Sequence, residues 1–320
     1  IDRAAREVAL RDGTRLGYDR LVLASGAHPF VPPIPGVTRG GVFTVRTLAD
    51  ARAVIARARQ GGRCVCVGGG LLGLETAGAL ARRGVQVAVL EGHPWLLPRQ
   101  LAQPAGELLR AHLQRQGIDV RTGVDVAAIS GDEEVGGVQL EGGEELAADF
   151  VVLSTGIRPN SFLARQCGLE VRQGVVVDEQ MRTSDERIFA AGDVTQYQGT
   201  LYGLWPAAYA QGAVAGTNAA GGAGAFPGLP FSARLKVLDV DMFSMGQFLP
   251  RDGSYQLLEQ QRDQLYVRVV CRDGKVVGAN LFGDTSLANE LKDAIESGSQ
   301  VPELTELRAR LPGLEQVCRC

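Results

Sequence analysis

Cysteine is scarce and unevenly spread: six residues in a chain of 320, at positions 64, 66, 167, 271, 318 and 320. That is too few and too irregular for a secreted disulfide scaffold, and it points to a reducing compartment. Basic runs are also missing. Arginines are interspersed with acids and the net charge is −3, so the chain carries no electrostatic footprint for nucleic acid. No apolar run approaches the roughly 20 residues needed to span a bilayer. The first residues, IDRAAREVAL, show neither an initiator Met nor the basic, apolar and small-residue pattern of a signal peptide. These absences predict a cytoplasmic protein whose start is missing. Histidine is rare as well: His28, His93 and His112 lie far apart and form no catalytic or metal-binding constellation.

Glycine is abundant, at 42 residues against 14 prolines, within an ordinary globular composition of 45% hydrophobic and 22% charged residues. Many tight turns and close backbone approaches are therefore expected, as in α/β nucleotide binders. The opening EVALRDGTRLGYDRLVLASG reads as two strands joined at Asp12-Gly13, then a buried strand from Leu21 to Ala24. Prolines in HPFVPPIPG force an extended crossing, and Thr47 with Asp50 forms a capping pair ahead of a helix. RCVCV and VQVAVL read as strands, with helices through Arg83 and over about Gln103 to Gln116. The stretch from GIRPN onward reads as loop-rich, followed by strands VVVD and IFA and a helix from about Pro206 to Ala220. AAGGAGAFPG is the best linker candidate, and the remainder forms a separate α+β unit.

Between RCVCV and the next helix stand Gly68, Gly70 and Gly73 in GGGLLG. In this strand-to-helix context Gly68 permits a tight turn, Gly70 lets the backbone approach a pyrophosphate, and Gly73 lets helix and strand pack closely. Leu71 and Leu72 open the helix, whose unpaired amides and dipole favour phosphate. Glu91 ends the next strand, where a carboxylate accepts from an adenine ribose and repels a 2′-phosphate, favouring NADH over NADPH. Its replacement by alanine is expected to weaken NADH binding far more than it destabilises the fold. Cys64 and Cys66 share one strand face and read as small buried hydrophobes, because a bridge between them would be strained.

GGGLLGLETAGAL, STGIRPN, IFAAGDV and LASGAHP, in this sequence, resemble the FAD-dependent pyridine nucleotide-disulfide oxidoreductases. GGGLLGLE, TGIRP, QCGLEV, GDTS and the terminal CRC are most similar to the N-terminal reductase module of NADH-dependent nitrite reductase large subunits. The resemblance covers essentially the whole chain, except that no GxGxxG precedes Leu21, so the sequence is expected to begin late in the first FAD-binding segment. It implies an α/β fold with two Rossmann-like three-layer dinucleotide-binding domains, the FAD one incomplete, and a small C-terminal α+β domain. The implied boundaries are 1–41 and 157–226 for the FAD domain, 42–156 for the NAD(H) domain, 227–310 for the α+β domain and 311–320 for the start of a truncated [2Fe-2S] domain.

The resemblance also implies site residues. Asp193, with Gly192, would bind the flavin ribityl chain, and Ala24, Ser25 and Gly26 would form the turn beside FAD. Gly156 is a further cofactor-binding candidate. Arg46 would touch FAD, or else carry a solvated charge at a helix start. Glu75 would lie near the nicotinamide and flavin N5, or else make a structural ion pair. Trp205, Pro206 and Ala207 would flank the flavin at a helix start, where the dipole stabilises negative charge, unless Trp205 is simply core. Cys318 and Cys320 would supply two of the four cluster thiolates, or else belong to a frayed tail; two alone cannot hold a cluster. The implied reaction is hydride transfer from NADH to FAD, then single electrons to an iron-sulfur or rubredoxin-like acceptor, with [2Fe-2S] and sirohaem downstream in the intact protein. No side chain need act as acid, base or nucleophile. A stand-alone NADH:rubredoxin or ferredoxin reductase, an NADH oxidase and a non-enzymatic nucleotide-binding protein stay open, as does a homodimer.

Overall fold

A computed structural model describes residues 1–229, 232–250, 252–298 and 315–317. Among them run the helices α1 (Leu48–Ala58), α2 (Leu71–Ala81), α3 (Gln103–Arg115), α4 (Phe162–Gln166), α5 (Trp205–Ala219) and α6 (Ala288–Ser297). The chain divides into two units, one of Ile1–Phe30 with Gly156–Leu229 and one of Val31–Thr155 with the residues after Leu229.

The second unit is built on a five-stranded parallel sheet in the order Val42–Thr44, Phe150–Leu153, Arg63–Val67, Gln86–Glu91, Asp119–Thr122. Its central strands are covered on both faces, which is why RCVCV and FVVL read as nearly unbroken apolar runs. Cys66 lies opposite Val152 on one side and Val89 on the other. Both Cys64 and Cys66 are fully buried free thiols, as expected from their alternation, with Sγ atoms 3.9 Å apart. The hydrogen bond with Cys66, and burial, push the Cys64 thiol far above its usual range. Burial pushes Cys271 up to about 11. A thiol protonated across the neutral range is a poor nucleophile, so in the folded protein Cys64 and Cys271 should resist a thiol reagent at neutral pH, and Cys66 should resist it because it is fully buried. Half-buried Cys167 should react first among the described cysteines; labelling followed by peptide mapping checks this.

Helix α1 begins as the sequence predicts. Thr47 Oγ1 accepts the Asp50 N–H at 3.2 Å and Asp50 Oδ2 accepts the Thr47 N–H at 2.8 Å. These reciprocal bonds hold the Asp50 carboxyl below its ordinary range. Thr47→Ala should cost about 1 kcal/mol, read as a lower denaturation midpoint with an unchanged slope. Beyond the parallel sheet, Val126–Ser130, Gly137–Leu140 and Glu145–Ala147 form the expected glycine-rich meander.

After Leu229 comes a six-stranded antiparallel sheet ordered 232–237, Val240–Gly246, Lys275–Phe282, Leu265–Arg272, Gln256–Arg262, Glu315–Val317. One face packs on α6 through Phe243, Val269, Leu281 and Leu291. The other face of this C-terminal α+β domain packs on α2 and α3. Leu238, Met242, Tyr266 and Phe282 join one core with Leu74, Ala77 and Leu109 of α2 and α3. The reason is local: Gly78 leaves a gap on α2, and a Cβ there would lie 1.8 Å from Leu238 Cδ2.

In the first unit the strands are short. Glu7–Ala9 pairs with Arg15–Gly17 across the Asp12-Gly13 turn, as read from sequence. Leu21–Leu23 runs parallel to Ile188–Ala190, and Val175–Val177 parallel to Thr195–Tyr197. The strand at Leu21 is only partly buried, since Val22 is 36% exposed while Leu23 is 9% exposed. GIRPN is not merely loop: Ile157–Pro159 pairs antiparallel with Ala27–Pro29, which gives the proline-flanked crossing its backbone partners. The segment read as a linker is tied down too. Asn218 brackets Gly224 with two hydrogen bonds, and Phe226 is buried against Tyr197 and Tyr202.

Candidate functional site

The glycine loop of the second unit follows directly on the strand Arg63–Val67. Gly68 has φ +109°, open to glycine at little cost, and its N–H donates to Leu90 O at 2.7 Å. A Cβ on Gly68 would meet Ser154 O at 2.4 Å, and one on Gly73 would meet Gly68 O at 2.0 Å. These two glycines therefore permit the close approach of loop, helix and the end of strand Phe150–Leu153. Gly70 differs. It is the N-cap of α2 with φ −77°, and a Cβ there would meet nothing within 4 Å. The space over Gly70 is open, no side chain caps the helix, and its first turn holds no acid. Leu71 and Leu72 are exposed beside it. Uncapped first-turn amides under open space are what an anionic phosphate needs.

Glu91 sits at the end of the neighbouring strand and is only 8% exposed. Its Oε2 accepts the Gly69 N–H at 2.7 Å and its Oε1 accepts the His93 N–H at 2.8 Å. The carboxylate thus holds the glycine loop in shape as well as facing it, so alanine here must disturb both. Glu75 is half-buried on α2 and forms no ion pair among the described residues. Arg46 is exposed just before α1, and its N–H donates to Asp50 Oδ2.

The first unit gathers its own group of predicted residues. Ala24 and Ser25 are exposed at the end of strand Leu21–Leu23, and Gly26 turns the chain with φ +65°. Asn160, which the sequence reading missed, clamps this turn. Its Nδ2 donates to Ser25 O at 2.7 Å, its N–H to Gly26 O at 2.9 Å, and its carbonyl accepts Ser25 Oγ–H at 2.9 Å. On the parallel neighbour, Ile188–Ala190 leads into Gly192, with φ +83°, and half-buried Asp193. Ala191 N–H donates to Leu23 O at 3.0 Å, which ties the two strand ends together. A second missed residue, Gln211 on α5, is 1% exposed and accepts from both Gly192 N–H and Thr195 Oγ–H at Oε1, at 2.9 and 3.0 Å. Gly156, with φ +102°, accepts Phe30 N–H at 2.9 Å.

Helix α5 starts at Trp205, with Pro206 in its first turn and Ala207 buried. Trp205 is 77% exposed and stacks on Tyr209 at 5.4 Å between ring centroids, so it is not core. Cys318 and Cys320 lie outside the described residues, which hold no cluster of three metal-ligating side chains. Nor do they include a helix long and apolar enough to cross a membrane.

Comparison with known proteins converges on these features. The model of the pyridine nucleotide-disulphide oxidoreductases matches residues 1–212. The chain belongs to that family. Residues 232–299 match the rubredoxin NAD+ reductase C-terminal domain, so the antiparallel sheet is also a family element. Nitrite reductase [NAD(P)H] of Bacillus subtilis is 35% identical over 297 residues, covering 92% of this chain and 37% of that protein. Among solved structures, an NAD-dependent persulfide reductase from A. fulgidus superposes with a TM-score of 0.86 at 30% identity, over 96% of this chain and 62% of that one. The NADH:rubredoxin oxidoreductase of Clostridium acetobutylicum gives 0.79 at 28% identity, over 98% and 79%. The chain spans between a third and two fifths of the length of three nitrite reductases it matches, at 37%, 40% and 33%. The pyridine nucleotide-disulphide family is one of FAD- and NAD(P)H-dependent oxidoreductases.

The residues present fit a dinucleotide in the second unit and part of a flavin site in the first, where no GxGxxG precedes Leu21. Open space over the uncapped α2 start suits a dinucleotide pyrophosphate. In the first unit, the exposed Ala24-Ser25 turn and the glycine at Gly192 offer main chain to a second nucleotide, with the Gln211 Nε2 beneath still lacking a partner among the described residues.

Proposed function

We propose that this chain takes reducing equivalents from NADH and passes them, through FAD, to an iron-sulfur or rubredoxin-like acceptor, as the electron-input module of a nitrite reductase. The observation that carries the reading is the division of labour among the three glycines: two are packed against main chain and one is left open above an uncapped helix. Bound FAD supplies a ring that accepts a hydride and gives up electrons singly. The chain's own residues bind and orient. The amides at Gly70, Leu71 and Leu72 hold the NADH pyrophosphate, Gly68 and Gly73 keep them in place, and Glu91 receives a ribose hydroxyl while disfavouring the 2′-phosphate of NADPH. Glu75 borders the nicotinamide.

On the flavin side, Asp193 and Gly192 take the ribityl chain, and Ala24, Ser25 and Gly26 line the cofactor, with Arg46 in contact. Trp205, Pro206 and Ala207 place the positive end of α5 at the ring's pyrimidine edge. Cys318 and Cys320 are proposed as the first two ligands of a downstream [2Fe-2S] cluster. The likeness to a rubredoxin oxidoreductase over 98% of this chain supports a second reading, a stand-alone NADH:rubredoxin reductase. Anaerobic NADH oxidation by the FAD-loaded chain, assayed with rubredoxin, a [2Fe-2S] ferredoxin and ferricyanide, tests both. Turnover with an iron-sulfur protein acceptor is expected. No NADH oxidation with any of the three would refute the reductase assignment, and a strong preference for rubredoxin would favour the second reading.

A further inference from the structure

We infer that Asn280, on the antiparallel sheet of the second unit, is a positioning residue for pyridine-nucleotide binding: it fixes the glycine loop through the segment Leu96–Ala102. The inference rests on the reading of Gly68–Gly73 as the NADH loop. Asn280 interrupts the apolar strand KVVGANLF and is 0% exposed. A buried amide is costly unless its donors and acceptor are all engaged, and here they are. Its Oδ1 accepts Ala102 N–H at 2.8 Å, while its Nδ2 donates to Gln100 O at 2.9 Å and to Phe243 O at 3.3 Å. Only the Phe243 bond stays within the sheet. The other two reach a connection 178 and 180 residues earlier in the chain.

The far end of that connection touches the dinucleotide loop. Leu97, held at φ +52°, donates its N–H to Gly69 O at 3.4 Å, and its own carbonyl accepts from Gln100 and Leu101, both at 2.8 Å. Leu96 is fully buried and fills the space beside Gly69, where a Cβ would lie 2.6 Å from Leu96 Cδ2. A short, hydrogen-bonded path thus runs from Asn280 through residues 100–102 and Leu97 to Gly69, whose N–H is the one that Glu91 holds. The same sheet presses on α2 from a second direction, where Leu238 occupies the gap at Gly78. The sheet therefore braces the loop through residues 97–102 and α2 through Leu238 at Gly78, so that both hold the helix whose first-turn amides are read as receiving the pyrophosphate.

The test is an equilibrium titration of the full chain with NAD+ by calorimetry, well below the melting temperature, beside a measurement of FAD content. Asn280→Ala leaves Ala102 N–H and Gln100 O without their partner, and should raise the NAD+ dissociation constant on the order of tenfold with FAD content unchanged. Gly78→Ala, which drives Leu238 off α2, should raise it as well, and adding Leu238→Ala should restore affinity by removing the colliding atom. Wild-type NAD+ affinity in Asn280→Ala, with only a lowered melting temperature, would make Asn280 merely structural and overturn the inference. Should that variant fail to fold, Leu96→Ala decides, because it empties the space that the segment fills beside Gly69: unchanged NAD+ affinity overturns the inference. Absence of NAD+ binding by the wild-type chain would instead sink the reading of the loop itself, and the inference with it.

Discussion

Gly73→Ala is expected to lower NADH affinity by roughly a hundredfold while leaving FAD content intact. The added Cβ would lie 2.0 Å from Gly68 O, a main-chain atom that cannot rotate away. Nor can Gly68 retreat, because its own Cα faces Ser154 O so closely that a Cβ there would come within 2.4 Å. The clash must be relieved by moving α2 away from the strand Arg63–Val67, at an overpacking cost of about 1–3 kcal/mol. Displacement of the first-turn amides removes the donors aimed at the pyrophosphate. Gly70→Ala provides the contrast. Its Cβ meets nothing within 4 Å and its φ of −77° is ordinary for alanine, so stability should fall by no more than about 1 kcal/mol, the usual cost of alanine at an N-cap. Affinity should nonetheless fall, because the methyl enters the space assigned to the phosphate. Calorimetric titration with NADH and a denaturation curve on each variant check the pair. Equal NADH affinity in all three proteins would contradict the role given to this loop.

Glu91→Ala should damage both binding and fold, where the sequence alone led to the expectation that binding would suffer far more than stability. Two main-chain amides, of Gly69 and His93, lose their acceptor. An unsatisfied buried donor costs about 1–3 kcal/mol, so a clear drop in the denaturation midpoint should accompany the loss of NADH affinity. Glu91→Gln keeps the side chain's shape and one carbonyl acceptor but removes the charge that repels a 2′-phosphate. The ratio of NADH to NADPH kcat/KM should therefore shrink by about tenfold or more, a change of ~1.4 kcal/mol or larger in transition-state preference. A ratio that does not move would show that Glu91 serves the loop's architecture alone.

What the sequence revealed of the site was its local chemistry. The strand, glycine and helix pattern at Gly68–Gly73, the capping pair at Thr47 and Asp50, and the buried alternation of Cys64 and Cys66 each depend on neighbours a few residues away, so their physics is written in the spacing. Residues that act across long separations left no such mark. Asn160 clamps the Ser25 turn from 135 residues away, and Asn280 reaches Ala102 across 178. Gln211 supports Gly192 from a helix that reads as small and apolar. A single polar residue in an apolar run was the one available signal for the last two. Trp205 illustrates the converse: its aromatic character suited either a core or a ligand, and only its exposure separates them. The C-terminal sheet was legible as strands, whereas its shared core with α2 depended on Gly78 accepting Leu238 and could not be read from periodicity.

The central claim, that this chain moves reducing equivalents from a pyridine nucleotide to a flavin, is tested most directly by anaerobic stopped-flow mixing of the FAD-loaded protein with NADH while following the flavin's visible absorbance. The account predicts rapid bleaching whose rate saturates with NADH and is far slower with NADPH. Visible absorbance that persists unchanged at saturating NADH would contradict it.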